Sequence, residues 1–162
     1  MSLMAGVALL VAVETAVAAL APTTAATPTT AAAPTTAAAP KEEILGVWKG
    51  SSVCTKVEAA EFCNDETIVY TFVDVPNQPA TVALKAGRVV HGTVQPMYSL
   101  YVTYRPDDHR WTSEFERPGG RGLWAYVIHG DELTANVALL PELTVVRNVT
   151  AKRVSRDQVL PH

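Results

Sequence analysis

From residue 47 to residue 153 the sequence keeps to strand-length runs with a period of two, separated by short polar or glycine-bearing segments. A strand turns successive side chains to opposite faces, so this pattern commits the chain to half-buried β-structure. Tyr98, Leu100, Val102 and Tyr104 fall on one face, and Trp111, Ser113 and Phe115 oppose Thr112, Glu114 and Glu116. Between these two runs Pro106-Asp107-Asp108-His109 has turn chemistry at hairpin length. Gly130-Asp131 joins 123–129 to 132–139 with glycine first, as a type II′ turn requires. Further strands are predicted at 47–56, 66–75, 81–86 with a kink at Gly87, and 144–153. No stretch beyond residue 46 sustains a 3.6 period, and the connections are too short for crossover helices. Parallel βαβ folds are thereby excluded. The expected fold is all-β: an antiparallel up-and-down barrel of about eight strands, with a sandwich as its rival. A short helical turn at 41–45, started by Pro40, is expected before the first strand.

The first forty residues are of another kind. They hold one charged residue, Glu14, and no Phe, Trp or Tyr, so they have nothing with which to build a core. Residues 3–21 form an apolar run ending in small residues, so residues 1–21 have the pattern of an export signal cut after Ala18 or of an uncleaved hydrophobic segment. Residues 22–40 repeat every six positions, with prolines at 22, 28, 34 and 40. Proline fixes its own φ and disfavours helix in its predecessor, which predicts an extended, disordered linker. Residues 41–154 are expected to form the barrel domain and 155–162 a C-terminal tail. The chain is expected to be periplasmic or secreted, touching a membrane only through the N-terminal segment if that is retained.

Of 13 Lys and Arg and 16 Asp and Glu, only Glu14 precedes residue 41, leaving 13 against 15 in the folding part. That balance gives no footprint for nucleic acid. The two cysteines, Cys54 and Cys63, are expected to pair as a disulfide tying the end of the first strand to the start of the second. His91, His109, His129 and His162 occur at no metal-ligand spacing, and no metal or cofactor is expected. Asp65-Glu66 reads as a solvated loop-to-strand pair, Ser51 and Ser52 lack a nucleophile elbow, and Pro118-Gly119-Gly120-Arg121-Gly122 lacks the lysine and helix of a phosphate loop. No catalytic residue is therefore assigned. The least favoured reading is an enzyme at the barrel mouth using Tyr70, Glu114, Glu116 or His129.

Ile44-Leu45-Gly46-Val47-Trp48 resembles the opening of lipocalin-like (calycin) barrels, in which a helical turn leads into a first strand bearing G-x-W. The resemblance implies that Gly46 and Trp48 close the barrel floor. It also implies that Arg147, on the last strand, stacks on the indole, a contact of about 1–2 kcal/mol when shielded. The fuller pattern, G-x-W-x-G-x-S-x-C followed by C-N-D-E and a closing V-V-R strand, is similar to a group of exported bacterial proteins of unassigned function. It lacks a second lipocalin motif and a C-terminal helix, so ligand identity does not carry over.

An eight-stranded barrel holds either packed side chains or one small guest. Large residues on the assigned inner faces argue for filling, whereas Gly50, Ser52, Ser113 and Ala135 leave space. The residues expected to line a guest are Ser52, Tyr70, Phe72, Leu100, Trp111, Ser113 and Phe115. The favoured function is an exported barrel that binds a small hydrophobic ligand. The alternative is a non-enzymatic envelope protein with a filled barrel that binds another protein, a protease inhibitor being one form.

Overall fold

The computed structural model describes residues 40–55, 63–117 and 120–159. The expected export segment 1–21, the linker up to residue 39, Pro118-Gly119 and the last three residues of the tail lie outside the described residues. A one-turn helix, α1 (Lys41–Ile44), leads into β1 (Gly46–Cys54), β2 (Glu66–Asp74), β3 (Thr81–Val90), β4 (Thr93–Arg105), β5 (Arg110–Arg117), β6 (Gly120–His129), β7 (Glu132–Leu139) and β8 (Thr144–Ser155). These strands pair in chain order and β8 returns to β1, closing an antiparallel up-and-down barrel.

Turn chemistry sets the hairpins. Gly130 takes φ of 61° at the first position of the β6–β7 connection, as expected for type II′. His91 and Gly92 both adopt positive φ, 50° and 83°, which makes a two-residue type I′ turn between β3 and β4. That tight turn carries both strands well past the expected limits of 86 and 98. The kink expected at Gly87 appears as a register shift between Ala86 and Gly87. Gly50 is needed where β1 crosses β8, since a Cβ there would sit 1.9 Å from the Thr150 carbonyl oxygen.

One end of the barrel is sealed by Trp48, which is fully buried. Its indole Nε1–H donates to the Ile44 carbonyl at 2.8 Å, and Ile44 is itself buried beneath it. The cation over the ring belongs to Arg153, whose guanidinium carbon lies 4.1 Å from the ring centroid. Arg147, expected in that role, is elsewhere. The β1–β8 register puts Arg153 opposite Trp48 and Arg147 opposite Cys54, at the other end of β1. Both arginines face inward with the same period, so only the register separates them.

The Arg153 side chain is 4% exposed. Its Nε donates to Asp131 at 2.8 Å and its Nη2 to the carbonyls of Glu43 at 2.5 Å and Gly130 at 3.1 Å, while Nη1 donates to Leu45. Lys41 completes the seal by donating to the carbonyls of Val75 at 3.1 Å and Gln78 at 2.9 Å and by pairing with Asp74. Helix, first strand and the β2–β3 and β6–β7 hairpins are thus fastened together by two cations.

The wall is least continuous between β4 and β5. They pair only beside their hairpin, Thr103 opposite Thr112, Tyr104 opposite Trp111 and Arg105 opposite Arg110. Beyond that point β4 continues along β3 and β5 along β6. Met97, Tyr98, Leu100 and Phe115, on the strands flanking this seam, are only partly buried.

Replacing Arg153 with Met uncovers the indole and leaves carbonyls at the sealed end without their donor. Urea unfolding should show a loss of about 3 kcal/mol. A loss below about 0.5 kcal/mol would show that the seal does not depend on this residue.

Candidate functional site

Between the sealed end and the disulfide end, β2, β4 and β6 send aromatic side chains into one chamber. Tyr70 stands edge-on to Phe72, Trp124 and Tyr126, with centroids 6.4, 6.4 and 6.3 Å away. Phe72 meets Tyr126 edge-on at 5.6 Å, and Trp124 stacks on Tyr126 at 5.5 Å and 13°. Tyr98 tilts against Trp124 at 6.0 Å. Offset and edge-on pairs match ring edges to ring faces and add about 0.5–1.5 kcal/mol each beyond area burial.

Three phenols therefore share the interior, Tyr70 and Tyr126 buried and Tyr98 partly so. The hydroxyls of Tyr70 and Tyr98 lie 3.5 Å apart. The hydroxyl of Tyr126, a fully buried residue, has no hydrogen-bond partner among the described residues. Burial pushes the Tyr70 phenol up to about 12, with the Tyr98 hydrogen bond and Arg147 partly offsetting it. Burial, reinforced by the Tyr70 hydroxyl, holds Tyr98 above the ordinary phenol range. Tyr126 is raised well above it, by burial first and then by its two phenol neighbours. All three are neutral, so they offer hydrogen-bond donors rather than charge.

At the far rim Arg147 gathers the disulfide end. Its Nη1 donates to Ser52 Oγ at 2.6 Å and Glu66 Oε2 at 3.0 Å, and its Nη2 to the Asn64 carbonyl at 2.9 Å. Nη2 also lies 3.1 Å from Cys63 Sγ and 3.6 Å from Cys54 Sγ. Cys54 and Cys63 form the expected disulfide, with Cα atoms 5.8 Å apart.

Of the residues expected to line a guest, Tyr70 and Phe72 lie in the ring cluster. Ser52 is buried at the rim, its oxygen engaged by Arg147. Trp111 packs with Tyr104 at 5.2 Å, nearer the β4–β5 hairpin. Ser113 is buried, and Leu100 and Phe115 are half-buried beside the seam. Phe115 lies across Gly122, where a Cβ would come within 2.3 Å of the ring. Sequence reasoning missed Tyr98, Trp124 and Tyr126. The alternation Trp124, Tyr126, Ile128 was the available signal, and its inward sense follows once Phe115 is set opposite Gly122.

The groups considered for chemistry do not converge. Glu114 pairs with Arg121 at 2.8 Å in an exposed pair, and His129 is exposed. Among the described residues no three His, Cys, Asp or Glu side chains come together as a metal site. An open groove of about 760 Å³ lies on the outer side of the wall, lined in part by Val69, Val89, Val94 and Pro96, and shares no residue with the chamber.

Two outcomes follow from the phenols. Tyr126→Phe removes a buried hydroxyl that lacks a partner, so it should leave stability unchanged or raise it by roughly 1 kcal/mol in urea unfolding. A loss above about 1 kcal/mol would reveal a partner. Folded-state pKa values above the unfolded phenol value make the neutral phenols stabilising below about pH 10, and that stability is lost as pH rises toward 12. Alkaline titration should show phenolate absorbance from these tyrosines appearing together with unfolding. Their ionisation in a folded barrel near pH 10 would contradict that burial.

No family model and no curated protein matches the chain. Among solved structures it is similar to fatty-acid-binding protein 1 of Echinococcus granulosus, at 16% identity and a TM-score of 0.39, over 70% of this chain and 98% of that one.

Proposed function

We propose that the barrel binds one small hydrophobic molecule carrying a single hydrogen-bond acceptor, taken in through the seam between β4 and β5. One observation carries the reading: the Tyr126 hydroxyl is buried among rings without a partner among the described residues. A buried hydroxyl left unpaired costs about 1–3 kcal/mol, and an acceptor on a bound guest would recover that cost. An apolar lining with a few placed polar groups is the usual make-up of a small-molecule site. Partial burial of Tyr98, Leu100 and Phe115 beside a short ladder supports the seam as the mouth. Such a protein would work outside the cytoplasm, as residues 1–21 and 22–40 suggest, with the linker spacing the barrel from an envelope surface.

The ring-to-ring contacts favour a second reading, in which the interior is complete without a guest and the protein acts by binding another protein.

Native mass spectrometry and melting curves of the full chain, with fatty acids, ketones and aromatic compounds, separate the two. A retained guest, with stabilisation of about 2.7 kcal/mol at a hundredfold excess over Kd, is expected of the first. Tyr126→Phe should then weaken acceptor-bearing guests by about tenfold and leave pure hydrocarbons unaffected. No bound mass and no shift across the panel would overturn it, and a partner captured from envelope extract by the domain without residues 19–40 would support the second.

A further inference from the structure

We propose that the Cys54–Cys63 disulfide is a site of reversible thiol exchange, taking a low-molecular-weight thiol at Cys54 while Arg147 holds the departing Cys63 sulfur. A disulfide sulfur is a weak hydrogen-bond acceptor, so a guanidinium beside it gains little while the bond is intact. It gains a full opposite charge once the bond opens. Arg147 is placed for that moment: Nη2 lies 3.1 Å from Cys63 Sγ and 3.6 Å from Cys54 Sγ, with the side chain only 17% exposed and little screened by water. Its aim is fixed by the Asn64 carbonyl on Nη2 and by Ser52 and Glu66 on Nη1. The other charged groups here are Asp65, which accepts from the Cys54 backbone N–H at 2.8 Å, and Arg88, 3.5 Å from Glu66. Both cysteines are half-buried, so an incoming thiolate can reach them.

The closer contact to Cys63 sets the direction of exchange. An external thiolate attacks Cys54 Sγ and forms a new S–S bond there. The Cys54–Cys63 bond breaks, and its electron pair leaves on Cys63 Sγ beside the guanidinium. A second thiolate then attacks the external sulfur of the mixed disulfide and releases Cys54. The protein gains two electrons, two thiols become one small disulfide, and their protons pass to solvent or to the freed cysteines. The opened site carries new negative charge next to the cation that also holds Ser52 and Glu66 at the chamber rim.

The test uses the full chain with reduced glutathione, comparing the natural protein with R147Q, R147K and E114Q. In the reduced natural protein Cys63 should titrate below the ordinary thiol value of about 8.5, and R147Q should restore that value. Exchange should slow about tenfold in R147Q, recover in part in R147K and persist in E114Q, whose carboxylate pairs with Arg121 away from the disulfide. If Arg147 only braces the fold, exchange accelerates in R147Q with thiol titration unchanged, which overturns the proposal. Peptide mapping of the trapped adduct should find glutathione on Cys54, and an adduct mainly on Cys63 would equally overturn it.

Discussion

The guanidinium of Arg153 joins parts of the chain that are distant in sequence: the carbonyls of α1 and its exit, the β6–β7 hairpin, and the Trp48 ring on β1. A planar group with several donors can satisfy carbonyls along its edges while its face lies on an indole, which an ammonium cannot do. Because Arg153 sits opposite Trp48 in the ladder that closes the barrel, sealing the end and closing the sheet are one event. Displacing that register would turn every inward residue of β8 to the wrong side or the wrong height.

Above the sealed floor the chamber lies between Trp48 and the disulfide end, with the short β4–β5 ladder on one side. The rings of β2, β4 and β6 occupy its middle, and their hydroxyls, not charges, give it polarity. Burial keeps those phenols neutral, and Arg147 and Glu66 at the rim act on Tyr70 in opposite senses. The two inward arginines divide the labour: Arg153 fixes the floor, and Arg147 organises the rim around the disulfide.

Most of the fold was legible because period two and turn residues are local. The strands, the Gly130-Asp131 turn and the Gly87 kink follow from side-chain alternation and backbone freedom. His91-Gly92 carries no plain turn signal, since histidine is an unusual occupant of a left-handed position where asparagine or glycine is common. The site was legible only in part. Tyr70 and Phe72 lie on a strand whose inner face continues from Trp48, but Tyr98, Trp124 and Tyr126 reach them only through pairings across the sheet. The exchange of Arg147 for Arg153 has the same cause. Alternation states the face a residue takes, and register states its height, which depends on contacts more than a hundred residues apart in the case of Trp48 and Arg153.

The claim that joins floor, chamber and function is that Tyr126 offers its unpaired hydroxyl to a guest while the sealed end stays shut. NMR of the full chain with ring-labelled tyrosine and labelled tryptophan, titrated with a medium-chain ketone, observes both at once. The expected result is a saturable shift of the Tyr126 ring carbon bearing oxygen, with the Trp48 indole N–H signal unmoved. A Tyr126 signal that stays fixed at ketone concentrations that saturate the protein, or a Trp48 signal that moves with it, would contradict this account.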